Sequence, residues 1–133
     1  MIAAISYESV VLYEILETTK EKVNSSKFQQ YLLKLILLSP PEIIYYMDNC
    51  RIHHTTAVKG ILHFYNIDFL FSSPYSPDYN PIELLFSFLK LRVKDYDELS
   101  IPEAIRKAVS EVTKEMIQGW IKKAVRHWIS DEI

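Results

Sequence analysis

Apolar positions along this chain fall into two kinds of block. Short β-branched runs alternate with stretches in which apolar residues return every three or four positions. Residues 2–6 (IAAIS) and 10–16 (VVLYEIL) are runs of the first kind, separated by Tyr7, Glu8 and Ser9. They predict a hairpin, although the link lacks the Asn-Gly chemistry of tight turns. In the second run Val11, Tyr13 and Ile15 alternate with Leu12, Glu14 and Leu16, a weak two-faced pattern. After the polar link "ETTKEKVNSS", Asn24 is the expected helix N-cap, with Val23 and Phe28 as a staple. Phe28, Tyr31, Leu32, Leu35 and Ile36 then follow helical spacing until Pro40 and Pro41 end it.

The alternation continues. "EIIYYM" (42–47) reads as a strand buried on both faces and ending in Asp48-Asn49. Residues 55–65 predict a short helix capped by Thr55 or Thr56, with Val58, Ile61, Leu62 and Tyr65 on its apolar side. "IDFLFSS" (67–73) predicts another strand, and a proline-rich loop leads into a helix from Pro81 to about Lys94. Ser100-Ile-Pro-Glu103 forms a capping box that opens a helix toward Val112. Thr113 caps a last helix carrying Ile117, Trp120, Ile121, Val125 and Trp128. The order β-β-α-β-α-β-α plus a helical tail predicts a mixed α/β sheet with parallel strands after the hairpin. Ligands of such sheets sit near the carboxyl ends of the strands, where Asp48 lies.

Two carboxylates stand out. Asp48 closes an apolar strand, where a charge must be hydrated, hydrogen-bonded or metal-bound; a turn or helix cap is the plain alternative. Glu83 follows Asn80 and Pro81 as Asn-x-x-Glu, which reads as a capping box aided by the helix dipole. The helix behind it carries Ile82, Leu84, Leu85, Phe86, Phe88, Leu89, Leu91 and Val93 around most of its circumference and is expected to be largely buried. Its one polar stripe is Glu83, Ser87, Lys90 and Lys94. An acid at the head of a stripe ending in two lysines suits a metal beside a phosphate backbone; a solvated stripe has the same residue types. Asp48 and Glu83 together are suitable ligands for a hard cation such as Mg²⁺.

Composition narrows the classes. The 133 residues are 49% apolar and 24% charged, which is globular and long enough for a real core. The net charge of −2 counts against a free-standing DNA-binding module. Cys50 is the single cysteine, so no intramolecular disulfide forms and a reducing, intracellular compartment is expected. The N-terminus lacks a signal peptide's basic flank, and no apolar run reaches membrane-span length, so no membrane partner is expected. With two glycines, Gly60 and Gly119, no glycine-rich phosphate loop is available. His53, His54, His63 and Cys50 lack zinc-finger spacing, which favours structural roles. Ser72, Ser73 and Ser76 show no paired base. Tyr45, Tyr46, Phe64, Tyr65, Phe69 and Phe71 read as core, and Trp120 and Trp128 as packing residues.

The segment "YYMDNCRIHHTTAVKGILHFYNIDFLFSSPYSPDYNPIELLFSFLKLRV" resembles the catalytic core of mariner-type transposases and their insertion-sequence relatives, members of the DDE superfamily with a ribonuclease H-like fold. In that family the second acid opens a strand-end "DN" followed by histidine, matched by Asp48, Asn49, His53 and His54. The third acid lies in "PYSPxxNPIE", matched from Pro74 to Glu83, and residues 49 to 82 give the family's usual spacing. Phe86 stands where the family often has tryptophan, and Lys90 matches a frequent lysine. The hairpin, the first helix and the two-helix tail with Trp120 are similar as well.

The resemblance implies a partial ribonuclease H-like core over residues 1–96, a helical extension over 97–133, and DNA as partner. It implies three carboxylates holding two Mg²⁺ or Mn²⁺ ions for DNA cleavage and strand transfer. Asp48 and Glu83 match two of them. Lys90 and Lys94 would meet DNA, and Asn49, His53, His54 and Asn80 would lie near the pocket. The first acid belongs on a central strand upstream of residues 2–6, which this sequence does not include. The chain is therefore expected to be N-terminally truncated and inactive by itself; Glu8, Glu14 and Glu17 are poor replacements. Without that strand, either the hairpin pairs directly with 42–47 or a sheet edge stays open and invites a homodimer. A non-enzymatic interaction module is the competing class. An unrelated α/β enzyme using Asp48 and His53 leaves the proline-rich block unexplained.

Overall fold

The computed structural model describes residues 1–15, 24–48, 50–71 and 80–132, without the side chains beyond Arg126. The chain folds as two compact units, one formed by residues 1–2 and 11–77, the other by 3–10 and 78–133. Strands β1 (Ile2–Ile5) and β2 (Val10–Glu14) form a two-stranded sheet, and the division between the units runs through them. The Ser6 Oγ accepts from the main-chain N–H groups of Glu8 and Ser9, and the Ser6 N–H donates to the Ser9 carbonyl. These bonds supply the turn that the sequence lacks an Asn-Gly pair to make.

In the first unit, helix α1 (Ser25–Leu38) starts where Asn24 accepts from the Lys27 N–H at 2.9 Å. The staple partner Val23 lies outside the described residues. Phe28, Tyr31 and Leu32 are the buried positions of α1. The Tyr31 hydroxyl donates to the Leu12 carbonyl at 2.8 Å, which ties α1 to β2 and satisfies a buried polar group. Burial, together with Glu14 and Tyr45 nearby, keeps that phenol well above its usual pKa.

Strand β3 (Ile44–Met47) leads through a 3₁₀ turn, Arg51–His54, into helix α2 (Thr56–Phe64). Thr55 caps α2 through the Val58 N–H, one of the two caps the sequence offers. The 3₁₀ turn was not foreseen. At the far end Asn66 adopts a left-handed conformation (φ 56°), the Ile67 N–H reaches the Leu62 carbonyl at 2.8 Å, and the Asn66 N–H reaches that of His63. This is a Schellman closure, and asparagine tolerates its positive φ better than most residues. It turns the chain into strand β4 (Asp68–Phe71), which pairs with β3 in parallel, Ile44 opposite Asp68 and Met47 opposite Phe71. The parallel crossover matches the expectation from alternating blocks.

Two expectations need correction here. The 42–47 run is not buried on both faces: Tyr45 and Met47 are buried, while Ile44 is 61% exposed, as is Leu70 on the neighbouring β4 (59%). The aromatic set is not all core either, since Phe64 is 79% exposed and Tyr65 is exposed as well. Among the described residues the hairpin does not pair directly with β3: β1–β2 and β3–β4 are separate sheets.

In the second unit, α3 (Pro81–Val93) continues into a 3₁₀ turn, Lys94–Tyr96, and then come α4 (Ile101–Ser110) and α5 (Lys114–Glu132). Ser100 caps α4 through the Glu103 N–H, and Thr113 caps α5 through the Met116 N–H, both as the sequence predicts. Leu85, Leu89, Ala104, Ala108, Ile117 and Ala124 make the core of the three helices, and small alanines let the axes approach. Trp120 packs beside the Phe88 ring; the Trp128 side chain lies outside the described residues. Arg92 bridges Glu111 at 2.6 Å and Asp95 at 3.3 Å, and the Tyr96 hydroxyl donates to Glu111. The hairpin tip joins α5 through Lys114–Glu8 (2.8 Å) and a bond from Gln118 to the Tyr7 carbonyl. Helix α3 is less buried than its composition suggests: Leu85 and Leu89 are buried, but Leu91 is 66% exposed. Its apolar residues exceed the width of face that α4 and α5 cover.

Candidate functional site

Asp48 follows the last residue of β3, at the carboxyl end of a parallel pair. Its Oδ1 accepts from the Cys50 N–H at 3.0 Å and lies 2.9 Å from His53 Nδ1. The same Nδ1 is 3.1 Å from the Asp48 carbonyl oxygen. The hydrogen bond from His53 is the main reason the Asp48 carboxyl stands below its ordinary pKa; partial burial opposes it and the Cys50 N–H assists. Burial works against a charged His53, but the Asp48 carboxylate and carbonyl outweigh it, and the imidazole stands above its ordinary value. Asp48 is therefore anionic at neutral pH and still 44% exposed.

His53 is positioned from two directions. The 3₁₀ turn carries it back under Asp48, its N–H bonding to the Cys50 carbonyl at 3.0 Å. From α1, the Phe28 ring lies 4.5 Å from the imidazole. The Ser25 and Thr55 hydroxyls meet at 3.4 Å and hold the start of α1 beside the start of α2. His54 faces elsewhere: it stacks on Phe71 at 3.9 Å, and Lys59 lies over that same ring. Asn49 lies outside the described residues, as does the proline-rich stretch from 74 to 79.

Glu83 stands in the first turn of α3. Asn80, buried, accepts from the Ile82 N–H at 3.1 Å, and the Glu83 N–H donates to the Asn80 carbonyl at 3.1 Å. Pro81 occupies the first helical position, where its missing N–H costs nothing. The cap expected at Asn80 exists, and its side chain engages residue 82 rather than 83. Glu83 is half-buried, while Ser87, Lys90 and Lys94 are exposed. Ser87 folds back onto the Glu83 carbonyl at 2.9 Å. Among the described residues no three His, Cys, Asp or Glu side chains group as metal ligands.

A family model described as DDE superfamily endonuclease matches residues 1–105, a span that contains Asp48, His53 and Glu83. The chain belongs to that family. It has the fold of the Mos1 mariner transposase catalytic domain, with a TM-score of 0.81 and 24% identity over 95% of this chain and 68% of that one. The Mos1 catalytic domain with raltegravir and Mn matches at 0.80, 24% identical over 95% and 70%. The Mos1 strand transfer complex matches at 0.71, 26% identical over 92% of this chain and 38% of that one. The ribonuclease H-like α/β class expected from the sequence is therefore correct. Among curated proteins none matches the chain.

What sequence reasoning missed is the grip of His53 on Asp48. The signal was the five-residue spacing, too short for strand and helix alone and suited to one tight turn. The Arg92–Glu111–Tyr96 cluster was missed too, because its members come from α3, the 3₁₀ turn after it and the end of α4.

Proposed function

We propose that Asp48 and Glu83 are two carboxylates of a divalent-cation site for phosphoryl transfer on DNA, and that residues 1–133 do not complete that site by themselves. The observation that carries this reading is the family match, which spans both carboxylates. Support comes from the donor chemistry. Both are hard oxygen ligands of the kind Mg²⁺ and Mn²⁺ prefer, and Asp48 is held ionised and accessible. Mos1 catalytic-domain structures contain Mn or Mg, and a Mos1 paired-end complex contains a transposon end.

In this reading Asp48 and Glu83 hold the cations, Asn80 fixes the turn from which Glu83 projects, and exposed Lys90 and Lys94 meet backbone phosphates. Bound divalent ions would supply the charge that activates the attacking hydroxyl and steadies the leaving oxygen. Among the described residues no three possible metal ligands come together, and in this reading residues 1–133 bind a cation weakly and do not cut. Calorimetric titration with Mn²⁺ and nicking of supercoiled DNA test this together. Weak Mn²⁺ binding lost in both Asp48→Ala and Glu83→Ala, with no nicking, is the expected result. Binding indifferent to both substitutions overturns the site. Nicking abolished by both overturns the incompleteness.

A second reading has its own observation. Among the described residues each strand is hydrogen-bonded to one neighbour only, and Ile44 and Leu70 are exposed. A homodimer formed through an open β-edge fits that pattern. Sedimentation showing concentration-dependent dimers, with no response to Mn²⁺, favours it over the enzyme.

A further inference from the structure

We propose that His53 is a positioning residue for the cation site: from Nδ1 it fixes Oδ1 of Asp48 and leaves Oδ2 as the oxygen a metal ion meets. The inference rests on the preceding reading of Asp48 as a ligand and adds the atom used and the residue that selects it. A carboxylate oxygen offers about two lone-pair directions. On Oδ1 both are taken, by the Cys50 N–H at 3.0 Å and by His53 Nδ1 at 2.9 Å. Chelation through both oxygens requires giving up those bonds, so monodentate binding through Oδ2 costs least.

The geometry also fixes the histidine. Both atoms facing Nδ1, the Asp48 carboxylate and the Asp48 carbonyl, are acceptors only. Nδ1 must therefore carry the proton, and a neutral His53 is the Nδ1–H tautomer with a bare Nε2. The ring is kept in place by Phe28 from α1 at 4.5 Å and by the 3₁₀ turn beneath it. The carboxylate is thus oriented before any cation arrives. Hydrogen-bonding partners of ligating groups typically account for about 10–100-fold in metal affinity.

Two measurements on the whole chain test this. In metal-free protein, ¹⁵N spectra of the labelled imidazoles should show His53, when neutral, protonated at Nδ1; protonation at Nε2 overturns the proposal. In Mn²⁺ titrations His53→Phe keeps a ring against Phe28 but has no donor, and should weaken binding about tenfold or more. His53→Asn places an amide N–H near the position of Nδ1 and should restore most of the loss. Unchanged affinity in His53→Phe, or no rescue by His53→Asn, overturns the proposal while leaving Asp48 a ligand. A wild-type chain without Mn²⁺ affinity overturns the parent reading instead. Should His53→Phe fail to fold, the tautomer and His53→Asn decide.

Discussion

The carboxylate of Asp48 is held by specific donors, the Cys50 N–H and a histidine braced by a ring from another helix. The carboxylate of Glu83 is placed by a helix start, where Asn80 and Pro81 set the first turn. A strand end offers no array of free N–H groups and little dipole, so the charge there needs dedicated partners. A helix N-terminus brings both with it. The two acids therefore depend on different things: one on tertiary packing of α1 against the 3₁₀ turn, the other on a few neighbours in sequence.

The largest test of that contrast removes the cores. Leu62 and Leu85 are fully buried, one in each unit. Leu62→Ala and Leu85→Ala should each cost about 2–5 kcal/mol in urea unfolding. Hydrogen exchange sharpens the result. Leu62→Ala should expose amides of α2 more than those of α4, and Leu85→Ala the reverse. Equal loss of protection throughout would show that the two acids share one cooperative support, and the comparison would fail.

A smaller effect is expected at the cap. Asn80→Ala removes the acceptor for the Ile82 N–H at the start of α3 and should cost about 1 kcal/mol. The chemical shifts of His53 should stay as they are, because its partners are Asp48 and Phe28. Movement of the His53 signals in Asn80→Ala would show that the Glu83 turn and the Asp48 end are coupled.

How much was legible follows the same division. Asn24, Thr55, Ser100 and Thr113 were readable as caps because capping uses residues within three positions. The parallel β3–β4 pair was readable because a helix between two apolar runs leaves few topologies. The exposure of Ile44, Phe64 and Leu91 was not, since composition shows that a side chain is apolar but not how much surface its neighbours cover. The Asp48–His53 bond was half legible. The motif placed both residues near one pocket, while the Phe28 contact that braces the ring depends on how α1 packs.

The smallest prediction concerns charge. The His53 pKa is raised in the fold, so its contribution is complete below the unfolded value of about 6.5 and is lost as pH rises through the folded one. The Asp48 pKa is lowered, so its contribution is complete above about 4 and is lost as pH falls through the folded value. Together the pair stabilises most between about pH 4 and 6.5. The gain is below about 1 kcal/mol, because a carboxylate 44% exposed to solvent is well screened. With EDTA present, Asp48→Asn should lower the His53 pKa read by NMR. The stability gap between wild type and variant should shrink as pH rises through the folded His53 pKa. A His53 titration indifferent to Asp48→Asn would mean that the imidazole owes its charge to other neighbours, and that the strand-end acid is no more specifically held than the one at the helix start.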